Sequence, residues 1–446
     1  MPSGKKYIAD LFISTIWYLL GFTAALLFLL AYFLPFLLVP AGIFSGVWAL
    51  ATLLDYTFLF LVRGDVLGQR QLASRFSLGD ENKVTLTLQN TYPFNVRIKL
   101  IEELPFPFQE RHFTLKTRIG FRKKETIVYH LRPLSRGAYT FGRLLCYTKS
   151  PLGLLQRRIV PAGPDTVKVY PAFQLLKKYQ LMAQSESLFS GDKKIRRLGH
   201  SLEFENIKDY VTGDDIRSIN WKATARSNSL MVNTYTDTRQ QQIYCVIDKG
   251  RAMKMPFEGL SLLDYAINAS LALLNIVLLK QDKAGLICFG KDETDIVPAD
   301  RRNNQFFHIQ EALYRQDTAF LESDYGALQH QVYRSLGQRS FLLLFTNFET
   351  MPAMERQLPY LKQLARQHLL CVVFFENTML RRIHESHPDT IKGIYIKTIA
   401  DRFGYEQKQM VRELRRHGIL SVLSTPAQLS VDVINKYLEL KSRQMI

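Results

Sequence analysis

Hydrophobic positions fall into three successive patterns along the chain. From Leu11 to Val62 nearly every side chain is apolar, and Asp55 is the only charged residue. Between residues 76 and 170, short segments alternate apolar and polar side chains, which is the period of a half-buried strand. From residue 240 onward, short, continuously apolar segments alternate with longer helical ones. The chain is therefore expected to be multi-domain, with a membrane part, a β-rich part and an α/β part.

The first apolar stretch is long enough for two membrane spans. A bilayer core about 30 Å thick needs roughly 20 helical residues, and Pro35 and Pro40 interrupt the stretch near its middle. We therefore predict a two-helix transmembrane hairpin, Leu11–Leu34 and Phe36–Val62, within a domain that spans residues 1–65. A cleaved signal peptide is disfavoured because the apolar stretch is too long.

Basic residues flank both ends of this hairpin, at Lys5, Lys6, Arg63, Arg70 and Arg75. The positive-inside rule then predicts that both termini and the soluble domains are cytoplasmic. An aspartate that faced lipid would be costly, so Asp55 is expected at the cytoplasmic interface or in the contact between the two helices. A role in transport is the alternative for this residue.

Residues 66–170 are predicted to form an antiparallel β-sandwich. Segments Val84–Leu88 and Arg97–Leu100 alternate with period two, and so do Thr126–Leu131 and Val167–Tyr170. Turn signals separate these segments at fairly regular intervals, as in small sandwiches. The segment contains no catalytic constellation, so a scaffold or interaction module is expected.

A connector of residues 171–239 leads to the last domain, residues 240–446. Apolar strands that alternate with helices predict a doubly wound α/β domain whose parallel sheet is covered on both faces. The predicted strands are Gln242–Asp248, Ala284–Phe289, Phe341–Thr346, Leu369–Phe375 and Ile419–Leu423. Such sheets bind ligands at the carboxyl ends of their strands, which here carry Asp248, Gly290, Thr346, Asn347, Glu376 and Asn377.

Charged residues are densest between residues 199 and 235. Gly213-Asp214-Asp215 resembles the paired carboxylates that hold catalytic metals, but no other acidic cluster completes such a site. The chain has no P-loop, no dinucleotide fingerprint and no G-x-S-x-G elbow. No catalytic residue and no enzymatic activity are expected. The alternative is a metal-dependent hydrolase that uses Asp214 and Asp215.

An aspartate at the end of the first strand of a doubly wound sheet resembles von Willebrand factor A domains. Their metal-ion-dependent adhesion site begins D-x-S-x-S and holds Mg²⁺ through hard oxygen ligands. Here Asp248 is present, but Gly250 and Ala252 stand at the serine positions, and Thr346-Asn347 stands where an acidic residue often lies. The resemblance implies a degenerate adhesion site, so no metal or other cofactor is expected and Mg²⁺ is disfavoured. Asp248 is then expected to end the strand and cap the following loop, and residual metal binding at Asp248 is the alternative.

The segment from Gly199 to Tyr235 resembles the signature of a family of bacterial membrane proteins, domain of unknown function 58. The matching positions are Glu203, Phe204, Tyr210, Gly213, Asp214, Asp215, Arg217, Ile219, Trp221, Lys222, Ala223, Ala225 and Arg226. The chain departs from the pattern at Ile207-Lys208, where the family has Leu-Arg. The resemblance implies a location in the bacterial inner membrane and a partner of the MoxR type, an AAA+ ATPase thought to act as a chaperone.

Two roles are open for the signature. Its aspartates and arginines, Asp214, Asp215, Arg217 and Arg226, can form a charge-assisted network that braces the connector on the sheet edge, with Trp221 buried. The same residues can instead form an exposed surface on which a partner protein docks.

The net charge of +18 permits contact with an anionic membrane or with nucleic acid. No basic stripe interleaved with aromatic residues supports base recognition, so lipid proximity is the more economical explanation, and no nucleic-acid partner is expected. Taken together, the sequence predicts a membrane-anchored cytosolic adaptor or assembly protein, with a lipid-headgroup or nucleic-acid binder as a further alternative.

Overall fold

The computed structural model describes residues 10–446 except 106–107, 109–112, 178, 182–202, 213, 228, 237–240, 292 and 386–389. For residues 203–206, 234–236, 379, 382 and 384–385 the description covers the backbone alone. Contacts divide the chain into two compact units, Met1–Ala172 and Phe173–Ile446. The predicted membrane domain and the predicted β-rich domain therefore lie together in the first unit.

Two apolar helices begin the first unit: α1, Thr15–Phe33, and α2, Leu38–Tyr56. The turn Pro35–Leu37 joins them, and a π-helical turn, Thr57–Leu61, extends α2. The segments Thr15–Phe33 and Pro35–Leu61 have a mean hydropathy of 2.0 and are almost entirely exposed, so by length and composition each is able to cross a membrane. The predicted pair of apolar helices with a turn at Pro35 is present.

The strands of the first unit are β1 Leu11–Ile13, β2 Val66–Gln71, β3 Arg75–Ser77, β4 Asn82–Asn90, β5 Val96–Glu102, β6 Thr114–Ile119, β7 Lys124–Leu131, β8 Gly137–Phe141, β9 Leu144–Lys149, β10 Leu155–Ala162 and β11 Asp165–Tyr170. They form the sheets β1-β10-β9-β5-β6, β2-β4-β7 and β3-β11-β8. Buried and exposed residues alternate along β4 and β5, as predicted for half-buried strands. The pairing is antiparallel except between β3 and β11, which run parallel.

The start of the chain differs from the prediction. Leu11–Ile13 was expected within the first membrane helix, but it forms β1 and pairs antiparallel with β10. Asp55, at the end of α2, is fully buried; it accepts hydrogen bonds from Ser150 Oγ and, at 2.6 Å, from the backbone N of Leu155. A continuous apolar run does not distinguish strand from helix, and the open edge of β10 supplies the backbone partners that decide the matter.

The strands of the second unit are β12 Glu203–Asp209, β13 Met231–Thr236, β14 Gln242–Asp248, β15 Pro256–Phe257, β16 Leu260–Ser261, β17 Lys283–Phe289, β18 Thr294–Asp300, β19 Phe341–Phe345, β20 Leu369–Phe375 and β21 Leu420–Ser424. The helices are α3 Trp221–Ser227, α4 Leu262–Leu279, α5 Gln305–Arg315, α6 Tyr325–Ser335, α7 Met351–Gln367, α8 Thr378–Glu385, α9 Ile391–Arg416 and α10 Leu429–Ser442.

Six of these strands form one sheet in the order β18-β17-β14-β19-β20-β21. All neighbours run parallel except β18, which pairs antiparallel with β17. Helices α4, α5 and α10 pack on one face of this sheet, and α6, α7 and α9 pack on the other. The five predicted strands and the cover on both faces are confirmed. Strand β18 was missed because it lies at the edge and its half-exposed residues give no continuous apolar run.

Helix α4 is apolar enough to cross a membrane, with a mean hydropathy of 1.8, but two thirds of it, 67%, is buried within the unit. A capping box starts the helix, since Ser261 Oγ accepts from the backbone N of Asp264 while the Asp264 carboxylate accepts from the backbone N of Ser261. The helix packs against β14 and β17 in the core. It is therefore a core helix of the sheet rather than a third apolar anchor.

Candidate functional site

The carboxyl edge of the six-stranded sheet contains a reversal of strand order. Strand β14 lies between β17 and β19, and the chain passes first to β17 and later returns to β19 on the other side. Open α/β sheets bind ligands at such a switch point, outside the carboxyl ends of the strands. The register places Asp248 beside Phe289 and Ile247 beside Phe345, so the ends predicted from the sequence do meet at one edge.

Asp248 is the centre of a buried hydrogen-bond cluster at this edge, with 4% of its surface exposed. Its Oδ2 accepts from Thr346 Oγ1 at 2.7 Å and from Tyr325 Oη at 3.0 Å. Its Oδ1 accepts from Ser323 Oγ and from the backbone N of Gly250 at 2.8 Å. Tyr325 Oη and Thr346 Oγ1 also lie 2.7 Å apart. Four donors from three loops thus hold one carboxylate in place, and hydrogen bonds to a charged group are the strong ones.

Gly250 explains how the cluster is packed. A Cβ at this position would collide with Ser323 Oγ and approach Asp248 Oδ1. The φ angle of Gly250 is an ordinary −78°, so the need for glycine comes from space and not from backbone conformation. Ser323 therefore places its hydroxyl where a serine at position 250 would have placed its own.

Ser323 and Tyr325 were missed by the sequence reasoning. They lie 75 and 77 residues from Asp248, in the loop before α6 and at the first position of that helix. The available signal was the helix start, because Asp324 accepts from the backbone N of Ala327 at 2.9 Å and caps α6. A capped helix that begins at the carboxyl edge of a sheet brings the side chains around its first residue to that edge.

The phenol of Tyr325 is a hydrogen-bond donor rather than an acid. Burial raises the pKa of Tyr325 well above its usual range, and the nearby negative charge of Asp248 raises this pKa further. The phenol of Tyr325 therefore stays protonated and donates a hydrogen bond to the Asp248 carboxylate. Asn347, by contrast, has a buried Oδ1 without a partner among the described residues.

The cluster around Asp248 contains one carboxylate and three hydroxyls, with a buried ammonium in the same loop. Asp248 is the single carboxylate of the cluster, and protein donors already occupy both of its oxygens. The ammonium of Lys249 lies in the same loop, buried and 3.9 Å from Asp295 Oδ2. Ala252, at the second serine position, brings no oxygen in its side chain. Within the described residues no group of three or more His, Cys, Asp or Glu side chains is placed to hold a metal ion.

The signature segment forms a β-hairpin, which we call the signature hairpin, residues 203–236. Strands β12 and β13 pair antiparallel, with a register shift between Phe204 and Asn206. The connection contains a 3₁₀ turn, Ile216–Ser218, and helix α3. The backbone N of Tyr210 donates to Leu230 O at 2.7 Å. The turn and α3 interrupt the alternation of apolar and polar residues between β12 and β13. The hairpin therefore shows no continuous strand or helix period in its sequence.

Asp214 and Asp215 form hydrogen bonds within the signature hairpin. Asp214 Oδ1 lies 2.8 Å from Lys208 Nζ, and Asp214 Oδ2 accepts from the backbone N of Val211 at 3.1 Å. These two bonds, first that of Lys208, lower the pKa of Asp214. Asp215 caps the 3₁₀ turn by accepting from the backbone N of Arg217 at 2.9 Å. The expected network of these aspartates with the arginines is not formed, because short acidic side chains take nearby backbone partners first.

The brace role predicted a buried Trp221 and the docking role an exposed surface, and the side chain of Trp221 is 69% exposed. The side chains of Arg217, Lys222 and Arg226 are also exposed. Ile216, in the turn that Asp215 caps, is 69% exposed as well. The signature hairpin therefore presents apolar and basic side chains together. Glu203 and Phe204 lie in β12 by their backbone, their side chains are outside the described part, and Gly213 is outside the described residues.

Comparison with protein families supports the predicted resemblance. The family model described as "Protein of unknown function DUF58" matches residues 206–377. This match covers most of the signature hairpin and the sheet as far as the end of β20. The "Uncharacterized protein YeaD" of Bacillus subtilis is 26% identical over 286 residues, which cover 63% of this chain and 67% of that protein.

Solved structures give only remote likenesses. The CARDB domain of the PF1109 protein from Pyrococcus furiosus aligns with 25% of this chain and 96% of its own length, at 6% identity and a TM-score of 0.17. The PapD-like domain 7 of human CEP192 aligns with 24% of this chain and 87% of its own length, at 11% identity and a TM-score of 0.18. Scores this low do not establish a shared fold.

Proposed function

Because residues 206–377 match the DUF58 family, we propose that this chain is a membrane-anchored adaptor that binds protein partners and has no catalysis of its own. Helices α1 and α2 hold it in the bacterial inner membrane, with both termini and the α/β unit in the cytoplasm. The six-stranded unit is von Willebrand A-like and serves as the protein-binding module. The partner implied by the family resemblance is an AAA+ ATPase of the MoxR type.

The exposed apolar pair Ile216 and Trp221 is the observation that supports this proposal most. Each side chain is 69% exposed, and the neighbouring carboxylates of Asp214 and Asp215 already accept hydrogen bonds within the hairpin. Trp and Arg are enriched at the centres of protein interfaces, where Trp contributes a large buried area. Arg217 and Lys222 flank the pair and give the surface a positive charge. The best-fitting partner surface has an apolar pocket and an acidic rim.

The loops at the carboxyl edge of the sheet support a binding role in a different way. The Asp248 cluster holds the loops after β14 and before α6 with four hydrogen bonds, which gives a fixed shape at the switch point. A fixed surface loses little conformational entropy on binding. This edge suits recognition of a protein surface better than turnover of a substrate.

Affinity purification of the full chain from gently solubilised membranes tests the proposal. The wild-type chain is expected to recover an AAA+ ATPase of the MoxR type. The variant I216S/W221S is expected to lose at least 90% of that recovery while its thermal unfolding stays unchanged. The two changes remove exposed apolar area only, so the hairpin itself should remain folded.

The matched control is F307S/Y333S, which removes two aromatic side chains that are 58% and 65% exposed on α5 and α6. This control should recover the ATPase as the wild type does. Equal recovery of the ATPase by I216S/W221S and by the wild type would show that Ile216 and Trp221 are not part of the docking surface. Reproducible failure of the wild-type chain to recover any AAA+ ATPase would refute the proposed partner.

A further inference from the structure

The sheet β1-β10-β9-β5-β6 carries a cluster of like charges on one face. Directly paired residues of antiparallel strands share a face. Arg97 of β5 pairs with Arg118 of β6 on one side and with Lys149 of β9 on the other. One step along the strands, Lys99 pairs with Lys116. These five cations, Arg97, Lys99, Lys116, Arg118 and Lys149, define what we call the basic face.

No salt bridge joins the basic face to a carboxylate among the residues that the structure describes. Arg97 donates to Pro151 O at 2.9 Å, and Lys149 donates to Ser14 Oγ at 3.0 Å, both of them uncharged acceptors. Like charges in direct cross-strand pairs destabilise a sheet. Burial, and after it the charges of Arg97, Lys116 and Lys99, lower the pKa of Lys149. The folded unit thus keeps an electrostatic repulsion that a bound anion would relieve.

The basic face lies next to the apolar helices. Lys149 reaches Ser14, the residue that precedes α1. The turn before β5 carries Phe94, whose ring centroid is 5.9 Å from that of Phe58 in the π-helical turn after α2. Arg97, Arg118 and Lys149 therefore form the row of the sheet nearest to the point where the chain enters α1 and leaves α2.

A cleft opens at the same end of the basic face. It has a volume of about 570 Å³ and is lined by Pro93, Phe94, Asn95, Arg97, Arg118, Phe121 and Pro151. Two guanidinium groups with an amide beside them suit the oxygens of a phosphate, because a guanidinium binds phosphate with two parallel hydrogen bonds. The rings of Phe94 and Phe121 offer apolar surface to the part of a ligand that is attached to the phosphate.

We propose that the basic face binds the phosphate headgroups of anionic phospholipids from the bilayer that α1 and α2 cross. Headgroup binding by the basic face requires α1 and α2 to span a membrane, as the proposed function has them do. It does not require any protein partner. The occupant is lipid because the row Arg97–Arg118–Lys149 adjoins the helix ends and the cleft combines arginines with aromatic rings. The sheet β1-β10-β9-β5-β6 of the first unit then rests on the membrane surface instead of extending freely from it.

The test uses the full chain in neutral detergent micelles. Phosphatidylglycerol or phosphatidylcholine, each with the same fluorescent acyl chain, is titrated and its binding is followed by anisotropy. The wild type is expected to bind phosphatidylglycerol more tightly. The preference should fall by roughly 25-fold in R97Q/R118Q, since each basic residue near an anionic surface contributes about a fivefold factor. K99Q/K116Q should show a smaller fall because that pair lies one step further along the strands.

The control K83Q/K124Q removes two exposed lysines from the sheet β2-β4-β7 and the same total charge. Its lipid preference should equal that of the wild type. Thermal unfolding and circular dichroism of every variant check that a lost preference is not lost folding. If R97Q/R118Q is folded and keeps the wild-type preference, or if the control loses as much, the proposal fails.

Two further titrations distinguish other sources of phosphate. Inorganic phosphate at millimolar concentration should not displace the labelled phosphatidylglycerol, because a free ion makes no contact with Phe94 or Phe121. A single-stranded oligonucleotide should compete weakly and without dependence on R97Q/R118Q. Displacement by inorganic phosphate would identify the cleft as a phosphate site, and tight oligonucleotide binding lost in R97Q/R118Q would identify the face as a nucleic-acid surface. Either result would overturn the lipid assignment.

Discussion

The Asp248 cluster and the signature hairpin both hold carboxylates by hydrogen bonds, but their partners come from very different distances along the chain. Three of the four donors to Asp248 come from residues 75, 77 and 98 positions away, and the fourth is the backbone N of Gly250. Asp214 is bonded by residues six and three positions away, at the surface. The first arrangement depends on the tertiary fold, whereas the second needs only a local turn. The density of charged residues in the sequence drew attention to the signature hairpin. The Asp248 cluster, with a single carboxylate, has more partners from distant parts of the chain.

The largest effect should come from removing the buried carboxylate. Asp248→Ala leaves the hydroxyls of Tyr325 and Thr346 buried without their acceptor, and each such group costs about 1–3 kcal/mol. We expect the opening free energy of β14 and β19 to fall by about 3 kcal/mol or more, measured by hydrogen exchange of the full chain in detergent. Asp248→Asn keeps the shape and should lose less. Protection of β14 equal to that of the wild type would show that the cluster contributes nothing to the sheet.

The second change tests the packing at Gly250. Gly250→Ser restores the residue type that the D-x-S-x-S pattern has, but its Cβ collides with Ser323 Oγ. Overpacking of this kind costs about 2 kcal/mol, visible in the same exchange measurement. The double variant G250S/S323A should recover at least half of the loss, because the new hydroxyl can occupy the vacated space. Equal losses of protection in G250S and in G250S/S323A would show that Ser323 Oγ is not the group that excludes a side chain at position 250.

The third change tests the hairpin. Asp214→Asn with Asp215→Asn should leave the α/β sheet folded, because the hydrogen bonds of both residues stay within the signature hairpin. The protection of β14 and β19 in the double variant should match the wild type, while amides 211 and 217 should exchange faster. Loss of protection across the sheet would restore the brace that the sequence suggested.

The same hairpin should show a weak pH dependence. Since the pKa of Asp214 is lowered from 3.8 in the folded hairpin, its contribution is complete above the pKa of the unfolded chain and disappears as the pH falls through the folded value. Amide 211 should lose protection in the wild type as the pH falls below about 4 and through the lowered pKa of Asp214. The D214N variant is the control, and a pH response that persists in it would assign the effect to another group.

The smallest expected effect is that of divalent cations. Isothermal titration with Mg²⁺ or Mn²⁺ should give no binding heat that is lost on Asp214→Asn, because Lys208 already pairs with that carboxylate. It should likewise give none that is lost on Asp248→Asn. A heat of binding lost in the first variant would revive a metal-dependent hydrolase, and one lost in the second would revive a working adhesion site.

The sequence predicted the α/β unit well because its signals are strong and local. Continuous apolar runs located five strands, and the rule for strand ends brought Asp248 and Thr346 to one edge. The sequence could not predict Ser323 and Tyr325 in the cluster, because their position depends on how the loop between α5 and α6 crosses the edge. Strand β18 itself gives no apolar run. Long-range partners of a buried carboxylate are set by packing and leave little trace in the pattern.

The errors at the amino terminus have the same origin. Leu11–Ile13 is as apolar as the helix that follows, so hydropathy alone assigns it to the membrane. The free edge of β10 captures it instead. The brace role predicted a buried Trp221, yet α3 is only seven residues long and leaves the ring exposed, as the docking alternative requires.

The pairing of β1 with β10 decides where the chain can be shortened for biochemical work. A truncated chain that begins at residue 66 loses β1 together with both helices. It exposes the outer edge of β10, and it removes Asp55, which accepts from the backbone N of Leu155. An open strand edge invites pairing with other chains, so such a fragment should aggregate. A soluble version of the first unit would need residues 10–14 joined to Asp55 by a short polar linker, so that Asp55, Leu59 and Phe60 keep their contacts with β10, and polar residues at the remaining exposed apolar positions.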